Sequence, residues 1–292
     1  MRWQSDEILE FDGVEFFVTF DSTKFDKKSS QAQFILLKAR QQIDQYQKLS
    51  RSFKVERMFE LGIWQGGSVV FYEKLFHPRK LVAIDLSPPI AALDEYLAGH
   101  SLGERIKPFY HVDQGDRARL QEILEGEFPG QSLDLVVDDA SHFLLPTRAS
   151  FNVLFPRLRA GGFYVIEDWG WEHWPGMWQT PESPFAGSPA LTNLIFELVM
   201  TAASRGDIVA GLSISNNMVT VSRGPAALGA DFDISSSYLI RDPQEIGRFA
   251  ALRSAPFIDR HGNVVRRLKQ VLRRVPALER ALRSVTRRLR DH

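Results

Sequence analysis

The chain has 292 residues with Lys plus Arg and Asp plus Glu equal at 36 each, so nothing in its overall charge points to nucleic acid. It has no cysteine, which excludes disulfides, thiolate metal sites and cysteine nucleophiles. No apolar run approaches the ~20 residues of a membrane span, and MRWQSDEILEF lacks the apolar core of a signal peptide; a soluble, cytoplasmic protein is expected.

In chain order, Glu7–Phe11 and Val14–Phe20 flank Asp12-Gly13, a hairpin signal. Residues 29–49 carry Phe34, Leu37, Ile43 and Tyr46 at loosely helical spacing, and a helix is expected there. These make an N-terminal hairpin and helix over residues 1–50. The stretch VERMFELGIWQGGSVVFYEKLFHPRKLVAIDL then reads as strand (55–61), glycine turn, helix (68–77) and strand (80–84), closed by Asp85. Such a turn lets backbone N–H groups approach a ligand, and an acid about 20 residues further on suits ribose hydroxyls.

Helix is expected over 88–97, strand over 106–112, helix over 117–125 and strand over 133–137. A helix over 146–158 is closed by Gly161-Gly162, and a strand over 163–166 follows. A helix over 191–205 then precedes strands over 208–213 and 218–222, with a turn at Asn216-Asn217. Alternation at this pitch predicts an α/β fold: a doubly wound, mostly parallel seven-stranded sheet over residues 51–225, with ligands at the carboxyl ends of its strands. A connecting segment (226–263) and a tail (264–292) complete the chain.

The acids gather at those strand ends. Asp138-Asp139-Ala140-Ser141-His142 follows one strand and Glu167-Asp168-Trp169 the next. If the two strands are neighbours, about 4.7–4.9 Å apart, the carboxylates of Asp139, Glu167 and Asp168 converge and need a cation. Oxygen ligands favour Mg²⁺, with Mn²⁺ or Ca²⁺ as alternatives. His142, three residues after Asp139, is placed to take the proton from a hydroxyl that such an ion acidifies. Beyond lie four of the six tryptophans within ten residues (Trp169, Trp171, Trp174, Trp178), with His173 among them. On a Pro/Gly-rich loop, their flat faces suit an acceptor ring; packing of the loop is the alternative.

From Arg266 to Arg290 there are ten basic residues and one acid, and Leu268, Val271, Val275, Leu278, Leu282, Val285 and Leu289 form a heptad seam interrupted by Pro276. This basic amphipathic tail predicts peripheral contact with an anionic membrane or packing on another subunit in a homo-oligomer, with no specific nucleic acid partner.

The glycine spacing, E-x-G-x-x-x-G-G-S, differs from the G-x-G-x-x-G of dinucleotide enzymes and resembles the first motif of class I S-adenosylmethionine-dependent methyltransferases. The set ELGIWQGGS, AIDLSPP, VDQGD, VVDDASH and GGFYVIEDW is similar to the metal-dependent O-methyltransferases of natural-product sugars, including relatives described as cephalosporin hydroxylase or rhamnosyl O-methyltransferase, over residues 30–225. The resemblance implies S-adenosylmethionine and Mg²⁺ as cofactors. It puts Glu60 at the methionine end, Gly62, Gly66, Gly67 and Ser68 along the turn, and Asp85 on the ribose. Asp113, Gln114 and Asp116 fall on the adenine side, and Asp138 near the cofactor or holding the loop. It makes Asp139, Glu167 and Asp168 the metal ligands and His142 the base, and implies methyl transfer to a hydroxyl of a sugar-containing acceptor, a natural-product glycoside or a surface glycan or glycolipid. Ala140 departs from the glycine often found there. A catechol-type O-methyltransferase and a non-catalytic scaffold acting through its tail are the alternatives.

Overall fold

The computed structural model describes residues 1–174 and 180–240. Asp12 and Gly13 both take positive φ (49° and 77°), as a two-residue primed turn requires. They join β2 (Ile8–Phe11) to β3 (Val14–Thr19) as an antiparallel hairpin, and β1 (Arg2–Trp3) adds at its edge. The expected helix from residue 29 is corrected here. Phe34–Leu37 is β4, parallel to β3, and the helix α1 spans Arg40–Ser52. The reason lies in the run FILL, in which Phe34, Ile35 and Leu36 are all buried; continuous burial suits a strand covered on both faces, whereas a helix would expose one side.

The seven-stranded sheet follows. Its strands are β5 (Arg57–Leu61), β6 (Lys80–Ile84), β7 (Ile106–Phe109), β8 (Leu133–Asp138), β9 (Leu158–Glu167), β10 (Val209–Ile214) and β11 (Met218–Arg223). Their order is β10-β11-β9-β8-β5-β6-β7, with β9-β8-β5-β6-β7 parallel and β11 antiparallel to both its neighbours. The helices are α2 (Gly67–Phe76), α3 (Ala91–Gly99), α4 (Arg117–Glu127), α5 (Leu144–Leu154) and α6 (Thr192–Ser204). One core face gathers Leu120, Phe151, Leu194 and Leu198 from α4, α5 and α6. The other gathers Val70 and Phe71 of α2 and Leu93 of α3 with Phe16 and Phe34 of the N-terminal sheet. Each fully buried side chain of this size contributes roughly 1.5–3 kcal/mol.

Several boundaries differ from expectation; the strand expected over 106–112, for example, ends at Phe109. The helix before β9 stops at Leu154, and Leu158–Gly162 already belong to β9. A Cβ on Gly162 would sit 2.9 Å from the Asp134 carbonyl oxygen, so this glycine serves close strand approach rather than a helix end. Residues 226–239 of the expected connecting segment belong to the same compact unit as the sheet. Ile234 is fully buried, its N–H donates to Asn152 Oδ1, and Asn152 Nδ2 donates to Asp233. The remainder of the expected connecting segment, the basic tail and Trp178 lie outside the described residues. Among the described residues no helix is long and apolar enough to cross a membrane.

Candidate active site

The turn after β5 is shaped by contacts that only glycine permits at two positions. Gly62 has φ 96°, and a Cβ there would lie 2.1 Å from the Asp139 carbonyl oxygen. A Cβ on Gly67 would lie 2.0 Å from the Ile35 carbonyl of β4. Gly67 therefore answers to the N-terminal sheet, a role its place in the motif did not suggest. Gly66, at φ 82°, is the residue from which α2 starts.

Asp85 holds this turn from the end of β6. Its Oδ2 accepts from the N–H groups of Ile63 (2.7 Å) and Trp64 (2.8 Å), and its Oδ1 accepts from the N–H and hydroxyl of Ser87. A cleft of about 290 Å³ opens beside it, lined by Gly62, Trp64, Asp85, Leu86, Asp113 and Gln114 among others. The adenine-side expectations divide. Asp113 and Gln114 reach the cleft, whereas Asp116 is exposed and caps α4 by accepting from the Arg119 N–H (3.0 Å). Asp138 does not line this cleft. Its carboxylate is buried and accepts from Gln114 Nε2 (2.6 Å), Tyr164 OH (2.9 Å) and Ser150 Oγ (3.2 Å), so of its two expected roles the geometry matches holding the loop. Burial pushes Asp138 up to about 7, against the pull of those donors.

Glu60 is fully buried, and neither carboxylate oxygen has a partner at hydrogen-bond distance. Burial drives it up to about 8, with Ser68 and then Lys38 easing the rise. Two orphaned oxygens at the root of a glycine turn suit a ligand cation, and S-adenosylmethionine's ammonium is of that kind. The ligand-free Glu60→Gln variant is expected to match the wild type in stability near pH 4.5. By pH 8 it should exceed the wild type by about 4 kcal/mol, because the raised folded-state value costs the wild type stability as pH rises from 4.5 to 8. Urea denaturation across this range gives the answer, and parallel profiles would refute it.

β8 and β9 are neighbours, Asp138 pairing with Ile166, and this brings the acids together. Ligand atoms of Asp139, His142 and Asp168 all lie within 4.8 Å of one another. Asp168 and His142 take left-handed backbone angles (φ 50° and 58°), whereas Ala140 is not among the positive-φ residues. Asp168 Oδ1 is buried without a partner at bonding distance. Burial, then the charges of Asp139 and Glu167, push Asp168 up to about 9. An orphaned oxygen among repelling acids fits a divalent ion. Burial holds the His142 imidazole below its usual value, with Asp139 opposing, so the ring is neutral near pH 7.

Glu167 does not join this group. It is fully buried and accepts from Lys38 Nζ (2.7 and 2.8 Å), Gln42 Nε2 (2.6 Å), Tyr46 OH and Tyr72 OH (3.2 Å). Lys38 Nζ also reaches Asp139 Oδ2 at 3.0 Å. Burial alone would lower Lys38, but Asp139 and Glu167 outweigh it and keep the ammonium charged. Sequence reading passed over Lys38. Only part of a signal was present: Gln42 and Tyr46 are four residues apart on α1, whereas Lys38 precedes the helix and no helical spacing ties it to them.

A second cleft of about 150 Å³ contains Lys38, Ser68, Asp139, His142, Asp168 and Trp171. It shares Gly62, Trp64, Asp139 and Ala140 with the first. Trp171 lies over the His142 ring (centroids 4.7 Å) and, with Trp174 and Phe20, forms an aromatic wall. Phe20, from the end of the hairpin, was not foreseen. Trp169 and His173 are placed otherwise than expected. The Trp169 indole donates to the Ser215 carbonyl (2.9 Å), and His173 Nε2 pairs with the Thr192 hydroxyl (3.1 Å).

The sheet order, with its reversed penultimate strand and a glycine turn after the central β5, is that of the Rossmann-like methyltransferase fold. No family model matches the chain. Its sequence is similar to sugar O-methyltransferases. It is 33% identical over 140 residues to demethylmacrocin O-methyltransferase of Streptomyces fradiae, a match covering 45% of this chain and 32% of that protein. It is 41% identical over 113 residues to 8-demethyl-8-alpha-L-rhamnosyl tetracenomycin-C 2'-O-methyltransferase of Streptomyces olivaceus, covering 38% and 26%. The chain thus spans about a third or less of the curated relatives it matches. Among solved structures, the MycE methyltransferase of the mycinamycin biosynthetic pathway, in complex with Mg, S-adenosylhomocysteine and mycinamycin VI, aligns at a TM-score of 0.48 and 25% identity, over 69% of this chain and 51% of that one.

Proposed function

We propose that this protein transfers a methyl group from S-adenosylmethionine to a hydroxyl of a sugar-containing acceptor with the aid of Mg²⁺. The observation that carries this reading is the shared wall of the two clefts. Gly62, Trp64, Asp139 and Ala140 line both, so a donor bound along the glycine turn lies against an acceptor bound at Asp139, His142 and Asp168. The similarity to named sugar O-methyltransferases supports the acceptor class.

Asp139 and Asp168 would hold the metal, which when bound supplies positive charge that orients and acidifies an acceptor hydroxyl. His142, its imidazole held neutral near pH 7, takes the hydroxyl proton on a ring nitrogen. Asp85 fixes the turn that seats the donor, and the wall of Trp171, Trp174 and Phe20 offers faces on which a sugar ring stacks. Holding both partners in line is the larger part of the catalysis.

Calorimetric titration of S-adenosylhomocysteine into the protein tests the donor site. Asp85→Ala should weaken it about 100-fold, because the carboxylate accepts from two N–H groups of the glycine turn and from Ser87 in its own loop, and so ties the two together. A wild-type protein that takes up neither S-adenosylhomocysteine nor Mg²⁺ would end this reading.

A further inference from the structure

Around Asp139 there are two places for a cation, and they are not equivalent. The inner one lies between Asp139 Oδ2 and the Glu167 carboxylate, where both side chains meet Lys38 Nζ at 2.7–3.0 Å. Lys38 and Glu167 are 1% and 0% exposed, and Gln42, Tyr46 and Tyr72 complete the Glu167 shell. The outer place lies among Asp139, His142 and Asp168, beside Trp171 in the cleft that adjoins the donor cleft. Glu167 lines neither cleft. Lys38 and Asp139 line the acceptor cleft whereas Glu167 is fully buried behind them, so an ion drawn towards Glu167 would sit deeper than one at the outer place.

We propose that Lys38 is a positioning residue: a resident ammonium from the N-terminal sheet that fills the inner cation place, keeps Glu167 out of the metal's coordination and confines the divalent ion to the outer place. This rests on the methyl-transfer reading above. Charge matching supports it. Counted as ionised, Asp139, Glu167 and Asp168 less the Lys38 ammonium leave two negative charges, the complement of one divalent ion. Geometry supports it too. β4 aims Lys38 inward because Gly67 lets the Ile35 backbone close on α2, and the Lys38 N–H is tied back to the Leu36 carbonyl (3.0 Å).

The test uses the full chain stripped of metal and titrated with MgCl₂ by calorimetry. Lys38→Met should bind Mg²⁺ tighter by about tenfold or more, since one opposing charge is gone and Glu167 is released as a ligand. Adding Glu167→Gln to that variant should return the affinity to the wild-type range, and methyl transfer by Lys38→Met should fall despite its fuller metal occupancy. A residue that only stabilised the fold would not tighten binding. A folded Lys38→Met protein with unchanged or weaker Mg²⁺ affinity overturns the proposal. A second measurement needs no variant. The ¹⁵N signal of the Lys38 ammonium, protected from exchange by burial, should persist at saturating Mg²⁺. Its loss on metal binding would show that the ion displaces Lys38, and would overturn the proposal as well. If no Mg²⁺ binds to the wild type at all, while S-adenosylhomocysteine does, the metal-dependent reading itself has failed, which is a distinct result.

Discussion

Asp139→Asn is expected to lower methyl transfer by roughly 10³-fold, and to remove Mg²⁺ binding from calorimetry while S-adenosylhomocysteine still binds. Asn keeps the size of the side chain and can still accept from Lys38, so the ion pair becomes a hydrogen bond and the loop stays in place. What is lost is the charge. Asp139 is the acid common to the metal group and to both clefts, so no neighbour replaces it. Asp168 can still offer one carboxylate, but alone beside a neutral imidazole it makes a poor site for a weakly competing ion such as Mg²⁺. The measurement pairs Mg²⁺ titration with single-turnover methyl transfer from labelled donor to a glycoside acceptor. Wild-type turnover by the variant would remove Asp139 from the chemistry.

Gly62→Ala is expected to cost on the order of 4 kcal/mol of stability and most of the donor affinity. Two costs add at this position. The backbone at φ 96° is outside what a side chain tolerates, and the new Cβ would stand 2.1 Å from the Asp139 carbonyl oxygen. The clash cannot be relieved by a side-chain rotation, since the Cβ is fixed by its own backbone and the oxygen belongs to the backbone at the end of the neighbouring strand. The Asp139 N–H bonds to the Leu61 carbonyl and the Gly62 N–H to Ile84, so relief must tear that ladder. Urea denaturation reads the stability and titration with S-adenosylhomocysteine reads the site. A midpoint equal to the wild type's would show that the turn and the acid loop are less tightly joined than their contact implies.

How much of this was legible in the sequence depended on whether the signal was local. The strands and helices of the seven-stranded sheet followed from apolar runs separated by glycine and acid punctuation, and Lys80–Ile84 matched to the residue. The Asp12-Gly13 hairpin was equally local. The FILL strand was missed because its partner β3 lies across an irregular connection, and nothing within its own four residues distinguishes a doubly covered strand from a helix turn. The acids were placed at the correct strand ends, but which of them face one another was not legible. Glu167 and Asp168 are adjacent in sequence and look alike, yet the buried partners Lys38, Gln42, Tyr46 and Tyr72 claim the first and leave the second. Asp116 and Trp169 illustrate the same limit. Both sit in motif-like runs, and both are used up by other bonds, Asp116 by a local helix cap and Trp169 by a carbonyl 46 residues away on the β10–β11 turn.

The Lys38–Glu167 pair also dictates an order of events during synthesis. The two residues are 129 positions apart, so the contact is among the most non-local in the molecule and its loop must close late. While the chain emerges, the hairpin, β4 and α1 are made long before β9, and Lys38 waits with its charge in water. Only when β9 pairs with β8 does Glu167 arrive, and both groups then leave solvent together. The reaction centre is therefore assembled late, rather than serving as a nucleus around which the rest collapses. A nascent chain halted before β9 would carry the complete glycine turn and still have no reaction centre.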